Sequence, residues 1–585
     1  MMPEKSLLEK IREIAYKHAL LNAYKHGGKA ELKPVVSKVM GELPEARSIA
    51  REVVGIVREI VEEVNKLSFE EQRKILEKNW PDLLAEEKRE EKKELPPLPN
   101  AIPGKVTTRF APNPDYTIHL GNARPALLSY WYARMYSGRM ILRFEDTDPR
   151  TKAPFPEAYE RIKEDLRWLG IEWDEEYIQS LRLPIFYDVV RELIRRRGAY
   201  VDKCSDKEFK EYRNRGKACP HRELPVETQL EELDRILEGY YGEGEAVIRV
   251  KTDMQHPDPS VRDWVALRII DTSKTPHPVV GDKYILWPTY NFAAAVDDHL
   301  MGVTHILRAK EHVTNTIKQK YLYDHMGWKY PETIHFGRLS LEDVILSKSK
   351  MRKMILEMGL QPYDDPRFGT ISGLRRRGFV REAIWEVVKQ VGIKQVDAQI
   401  SFANLASINR SIVDPIAKRY MAVENPVVVR LKLEDTVKAV IPRHPATGEK
   451  YEYVFERGEH HVLVSARDLE YLRKGIVRLM GFVNISLEGL EVSNNSIIAR
   501  ASVLSVSPEE AKKKKFPIIQ WVRKEDSITL LMLKPEATRI EKTYMIAEKA
   551  IMERNIGDIV QLYRIGFARI DEKSDDVITC IYAHP

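Results

Sequence analysis

The spacing of apolar positions changes character along the chain. Near the N-terminus apolar residues recur every three or four places: Leu7, Ile11, Ile14 and Ala15, then Val53, Val54, Val57, Ile60, Val61 and Val64 within the run Ile49 to Leu67. That period predicts amphipathic helices forming a small helical extension over residues 1–85. Ser68 followed by Glu71 has the form of a capping box opening a further helix. Residues 86–100 pass from a charged run into Leu95-Pro-Pro-Leu-Pro-Asn100, a linker in composition.

From residue 101 the pattern becomes strand, helix, strand. Val106 to Phe110 are β-formers, Pro112 and Pro114 break the run, a helical pattern starts near His119, and Met140 to Phe144 form a second β-run ending in Glu145-Asp-Thr-Asp-Pro149. This predicts an α/β domain with polar residues collected at the strand ends, where an open parallel sheet binds ligands. A helix start there offers free N–H groups to a phosphate. The loop is not a G-x-G-x-x-G element, because Gly121 is its only glycine. Helical faces follow in Ile162, Leu166 and Leu169 and in Tyr187, Val190, Leu193 and Ile194, completing a first half over 101–200. Residues 201–285 read as an insertion containing the polar helix Glu227 to Leu237 and a β-run from Ala246 to Val250. The α/β pattern returns over 286–360, and residues 361–425 read as a helical connecting domain. From Val427 the period becomes two, in Val427, Val429, Leu431, Val454, Val462 and Val464, so 426–585 reads as antiparallel β-barrels or sandwiches.

Composition narrows the function classes. Basic side chains number 94 against 88 acidic, a net +6, which excludes a histone-like polycation and requires any nucleic-acid contact to be local. Basic clusters occur at Arg195-Arg196-Arg197, Arg375-Arg376-Arg377 and Lys512-Lys513, each as readily a solvated face as a phosphate contact. The three cysteines, Cys204, Cys219 and Cys580, make no disulfide framework and suit a reducing compartment. With no long apolar span, a cytoplasmic protein without membrane contact is expected.

Two segments carry a resemblance. Pro112 to Asn122, with its core His119-Leu-Gly-Asn122, resembles the first signature of class I aminoacyl-tRNA synthetases, His-x-Gly-His. Leu346-Ser-Lys-Ser-Lys350 resembles the second, Lys-Met-Ser-Lys-Ser. Asn122 stands in place of the second histidine, Tyr116 in place of a common glycine, and Ile345-Leu346 in place of Lys-Met. From residue 101 to the C-terminus the chain is most similar to glutamyl-tRNA synthetases of the archaeal and eukaryotic-cytosolic type. The resemblance implies a Rossmann-type catalytic domain with an insertion meeting the acceptor end and C-terminal barrels reading the anticodon. It also implies ATP, with Mg2+ on the nucleotide, L-glutamate and tRNA(Glu) as partners, and tRNA(Gln) as a second RNA. The C-terminal β pattern excludes the bacterial subtype, which is helical there. Glutaminyl-tRNA synthetase and a non-catalytic RNA-binding relative are the alternatives. Asp146-Thr-Asp-Pro149, Ala111-Pro-Asn-Pro114 and Asn122-Ala-Arg124 favour the glutamyl form, and retention of His119 and Lys348 favours catalysis.

By that resemblance His119, Gly121, Asn122, Arg338, Ser347, Lys348 and Ser349 form the ATP side. Arg109 meets the side-chain carboxylate of the amino acid, Glu145 rather than Asp146 its ammonium, Tyr290 lines the pocket and Arg308 meets the α-carboxylate, with Asp297 and Asp298 in support. Ion pairing of Arg308 with Glu311 is the structural alternative. Asp202, Cys204, Cys219 and His221 carry donors suited to Zn2+; the carboxylate is untypical of a structural zinc site and favours ordinary surface or ion-pair use of these residues. Gln520 and Arg564, in the motifs Pro517 to Trp521 and Gly557 to Arg564, join the basic clusters as tRNA candidates. A monomer is expected, with the N-terminal helices as a docking surface for a protein partner.

Overall fold

The helical period at the N-terminus becomes four helices in the computed structural model: α1 (Leu7–Lys25), α2 (Leu32–Glu42), α3 (Ala50–Val64) and α4 (Phe69–Asn79). The structure describes residues 7–25, 28–80, 95–342, 363–493 and 496–585. They fall into two compact units, Met1–Pro96 and Pro97–Pro585. In the first, α3 buries Val53, Val57, Ile60, Val61 and Val64 in one core with Ile11, Ala15 and Ala19 of α1. The capping box is present: Ser68 Oγ accepts the Glu71 N–H at 3.3 Å, and Glu71 Oε2 accepts the Ser68 N–H at 2.8 Å.

The second unit opens with β1 (Thr107–Phe110), α5 (Leu120–Met135), β2 (Arg139–Phe144), α6 (Pro156–Trp168) and β3 (Glu175–Ile178). The three strands are parallel and β1 is wholly buried. Helix α7 (Leu183–Arg195) leads into an antiparallel sheet of β4 (Ala199–Asp202), β5 (Val247–Val250), β6 (Val265–Ile269) and β7 (Leu286–Pro288). Then come α8 (Tyr290–Leu300), β8 (His305–Ala309), α9 (Val313–Met326) and β9 (Glu332–Phe336). β8 and β9 pair in parallel, and the Thr304 N–H donates to Thr107 O at 2.9 Å, so the later half of the sheet is laid beside β1. Strand β10 (Leu339–Leu341), helix α10 (Arg381–Val391) and strand β11 (Ala398–Ile400) follow, with β10 and β11 paired in parallel.

The C-terminal region holds two seven-stranded sheets. Val427, Val429, Leu431 and Leu433 are buried in one, as the period of two requires. Val454 departs from expectation and is 42% exposed. Its strand Lys450–Phe455 turns Tyr453 and Phe455 inward instead, against Trp521 at ring distances of 5.6 and 5.7 Å, and their neighbour therefore faces out. Among the described residues no helix is long and apolar enough to cross a membrane.

Candidate active site

His119 is the N-cap of α5, with an extended backbone. Its Nδ1 accepts the Gly121 N–H at 3.0 Å, and Asn122 Oδ1 accepts the His119 N–H at 3.2 Å. A neutral imidazole that accepts at Nδ1 carries its proton on Nε2, which is then a donor. Helix capping and the signature thus fall on the same side chains. A Cβ on Gly121 would lie 2.8 Å from His119 Cε1 and 3.0 Å from Leu339 O, so glycine is what lets the ring fold back while β10 passes. On the other flank His119 bridges to Thr370, and the Ile371 N–H donates to Ile118 O at 3.0 Å. The described chain on both sides of residues 343–362 therefore touches the first turn of α5. Ser347, Lys348 and Ser349 lie outside the described residues. Arg338 pairs with Glu311, and its N–H donates to Asp397 Oδ1 at 2.7 Å.

The ends of β1, β2 and β8 supply three buried arginines, Arg109, Arg143 and Arg308. Asp298, from α8, joins two of them: Arg109 Nε donates to its Oδ1 at 3.1 Å and Arg143 Nη1 at 2.8 Å. Burial alone would lift the Asp298 carboxyl, but the two guanidinia outweigh it and hold the group below the usual carboxylate range. Arg143 Nη2 also donates to Glu145 Oε1 at 3.0 Å. Burial pushes Glu145 up despite Arg143 and Arg109. Tyr290, in the first turn of α8, is likewise pushed up, mainly by burial and further by the Glu145 charge.

Arg308 is held by neutral groups. Its Nη1 donates to Gln319 Oε1 at 3.1 Å, and Nη2 donates to Tyr330 Oη at 2.9 Å and to Thr316. Its Nε is buried without a partner among the described residues. The Glu311 pairing is not formed, because Glu311 is taken by Arg338. Asp146 and Asp297 serve the frame. Asp146 accepts from Tyr159 Oη and Ser180 Oγ, both at 2.7 Å, and Asp297 accepts from Arg182 Nε at 2.9 Å. Arg143, unassigned from the sequence, had one signal there: a charge in the middle of the apolar run Met140 to Phe144.

Family models match nearly all of this second unit: "tRNA synthetases class I (E and Q), catalytic domain" over residues 105–415, and two anticodon-binding domain models of the same description over 417–505 and 518–571. The glutamate–tRNA ligase of Staphylothermus marinus is 66% identical over 97% of this chain and 100% of its own. That of Ignicoccus hospitalis is 53% identical over 98% and 100%, and that of Hyperthermus butylicus 54% over 97% and 100%. The chain belongs to the glutamate–tRNA ligases of class I.

Within this synthetase the four metal-donor candidates converge. The donor atoms of Asp202, Cys204, Cys219 and His221 all lie within 4.8 Å of one another. Asp202 Oδ1 is 3.1 Å from His221 Nδ1 and 3.5 Å from Cys219 Sγ, while Oδ2 accepts from Arg249 Nε at 2.6 Å. The RNA candidates are sorted by burial. Lys512 and Lys513 stand exposed on the helix Pro508–Lys514 of the synthetase. Arg195 and Arg196 share Glu192, and Arg197 takes a left-handed backbone, φ 60°, after α7. Arg375 is exposed, whereas Arg376 pairs with Asp571 at 2.7 Å and Arg377 lies over the Phe402 ring at 4.1 Å. Gln520 is 1% exposed and Arg564 donates to Asp468 at 2.8 Å.

Proposed function

We propose that this synthetase condenses the α-carboxylate of L-glutamate with Mg–ATP, releasing pyrophosphate, and passes the glutamyl group to the terminal ribose of tRNA(Glu), releasing AMP. The observation that carries the choice of amino acid is a charge count. Within the ion-paired cluster, three buried guanidinia, Arg109, Arg143 and Arg308, are set against two carboxylates, Asp298 and Glu145, leaving one positive charge in excess; Asp297 and Arg182 cancel, and Asp146 stands outside the cluster with its oxygens held by Tyr159 and Ser180. Glutamate, with one ammonium and two carboxylates, supplies the missing negative charge. Glutamine would leave a buried guanidinium uncompensated, at a cost of about 3–5 kcal/mol, or roughly 10²- to 10⁴-fold in discrimination.

Arg109 then binds the side-chain carboxylate with its terminal nitrogens, and Glu145 holds the ammonium beside Tyr290. Arg308 acts on the α-carboxylate through its charge and its unpartnered Nε–H, since its other nitrogens are engaged. As the carboxylate oxygen attacks the α-phosphorus and the bond to pyrophosphate breaks, negative charge grows on the phosphate oxygens. His119 Nε2–H and the Asn122 side-chain amide are donors of the kind needed there; the first backbone N–H groups of α5 are already taken by Gly369 O, His119 Nδ1 and His119 O. Lys348, flanked by Ser347 and Ser349, adds a cation to the departing pyrophosphate, with Arg338 nearby in sequence. Glutamate-dependent pyrophosphate exchange, run with tRNA present, tests the reading. Equal exchange with glutamine would sink it.

Two finer proposals go with it. The same enzyme charges tRNA(Gln), supported by the small value of any one lost base contact, about 1–3 kcal/mol. The insertion holds a structural Zn2+ on Cys204, Cys219, His221 and Asp202 Oδ1. Two thiols, an imidazole and a carboxylate oxygen on one centre fit a tetrahedral ion.

A further inference from the structure

Arg124 belongs to α5, little more than one turn beyond His119, and is 0% exposed. Among the described residues it meets no carboxylate within ion-pair reach. It donates instead to backbone carbonyls: Nε and Nη2 to Gly392 O at 3.0 and 2.8 Å, Nη2 to Lys394 O at 3.0 Å, and Nη1 to Gly337 O. The guanidinium lies 4.6 Å from the centre of the Phe336 ring. Burial lowers its pKa to about 10. An apolar side chain of similar volume would fill such a site at less electrostatic cost. What the cation adds over such a side chain is the capture of the Gly337, Gly392 and Lys394 carbonyls.

The captured carbonyls are those of a tight backbone crossing. A Cβ on Gly337 would lie 2.1 Å from Val396 O, so two main chains are in direct contact there. The Gly337 N–H donates to Lys394 O at 2.9 Å and the Ala398 N–H to Arg338 O at 2.8 Å. From this crossing the chain runs straight into β10, whose Leu339 carbonyl abuts Gly121 in the first turn of α5. Arg124 thus reaches from α5 to the segment that presses on the start of the same helix.

We propose that Arg124 is a positioning residue for the phosphate-side donors: by holding Gly337 to Leu341 against the first turn of α5 it sets where His119 and Asn122 present their N–H groups. The inference rests on the reading of that turn as phosphate-binding. Its role is indirect, so removing it costs only what misplacing His119 costs.

The experiment measures glutamate-dependent pyrophosphate exchange with tRNA present, per active site, for wild type, R124M, R124K, H119A and the R124M/H119A double variant, with thermal unfolding alongside. R124M should lower kcat on the order of 10²-fold, with the glutamate KM within about threefold of wild type. R124K, which still donates to carbonyls, should recover part of the loss. The double variant should be no slower than H119A alone. Multiplying effects in the double variant, or a raised glutamate KM in place of a lowered kcat, would overturn the role of Arg124. Should R124M melt below the assay temperature, R124K and R124K/H119A carry the same comparison. A wild-type enzyme that exchanges nothing with glutamate would overturn the reading of the site, and this inference with it.

Discussion

Asn122 caps the residue it works beside: its Oδ1 accepts the His119 backbone N–H at 3.2 Å. Alanine at either position should therefore have two effects. Loss of the cap costs about 0.5–2 kcal/mol of stability, and loss of a phosphate donor lowers kcat for adenylate formation on the order of 10²-fold, with a smaller change in glutamate KM. Lys348→Ala should show a kcat loss of the same order. Steady-state aminoacylation and thermal unfolding of the three variants check this. An active Lys348→Ala enzyme would remove that lysine from the mechanism.

Asp298 serves two buried guanidinia at once, so Asp298→Asn leaves Arg109 without its carboxylate and Arg143 with Glu145 alone. A destabilisation of about 3–5 kcal/mol is expected, together with a raised glutamate KM, because Arg109 loses its anchor. Denaturant midpoints and KM measured on the same preparation test both. A glutamate KM at the wild-type value would show that Arg109 is held by other means.

The pocket should be sensitive to acid in two ways. Burial lifts Glu145 above the ordinary value of about 4.3. As pH falls it takes a proton earlier than an exposed glutamate and releases the substrate ammonium. Glutamate KM should climb on the acid side, starting above pH 4.3, and Glu145→Gln should have a high KM with no such climb. His312 moves the other way, lowered by burial and by Arg308 to about 4. Between about pH 6.5 and that value the unfolded chain binds a proton that the folded chain refuses, so stability declines as pH falls through this window. His312→Asn should flatten that part of the stability curve; an unchanged slope would exclude the shift.

For the insertion, protein purified without chelator should carry close to one zinc per chain by elemental analysis. Cys219→Ser should lose the metal and lower the melting temperature. Metal-free protein with the wild-type melting temperature would leave the cluster as an Asp202–His221–Arg249 ion-pair network.

On tRNA, kcat/KM for glutamylation of purified tRNA(Gln) should lie within about tenfold of that for tRNA(Glu), since reading one base is worth only about 1–3 kcal/mol, or about 5–150-fold, and a relaxed contact keeps part of that. A preference above about 10³-fold would establish a discriminating enzyme.

Much of the scaffold was legible because it is written locally. The capping box at Ser68, the helix face of α3 and the strand–helix–strand around Gly121 each span a few residues to a few turns, and period and punctuation suffice. What escaped is held together at long range. The resemblance alone sets Asp298 near Arg109: the two are 189 residues apart, Arg124 and Gly392 268, and no local pattern records either pairing. Gln520 sits between strands of two residues each, Ile518–Ile519 and Val522–Arg523, too short for alternation to fix a face. Arg376 looked like a surface cation until Asp571, 195 residues on, is brought beside it.

The distance between Arg109 and Asp298 also has a history in time. A ribosome adding about 5–20 residues per second delivers Asp298 roughly 10–40 s after Arg109, and Thr304, which closes the free edge of β1, a little later still. Through that interval a nascent half-sheet stands with one edge open, the geometry most prone to joining a neighbouring chain. Arg143 already has Glu145 beside it, but Arg109 still lacks the Asp298 carboxylate. Charge at an open edge is one of the general ways a sheet avoids pairing with an identical chain.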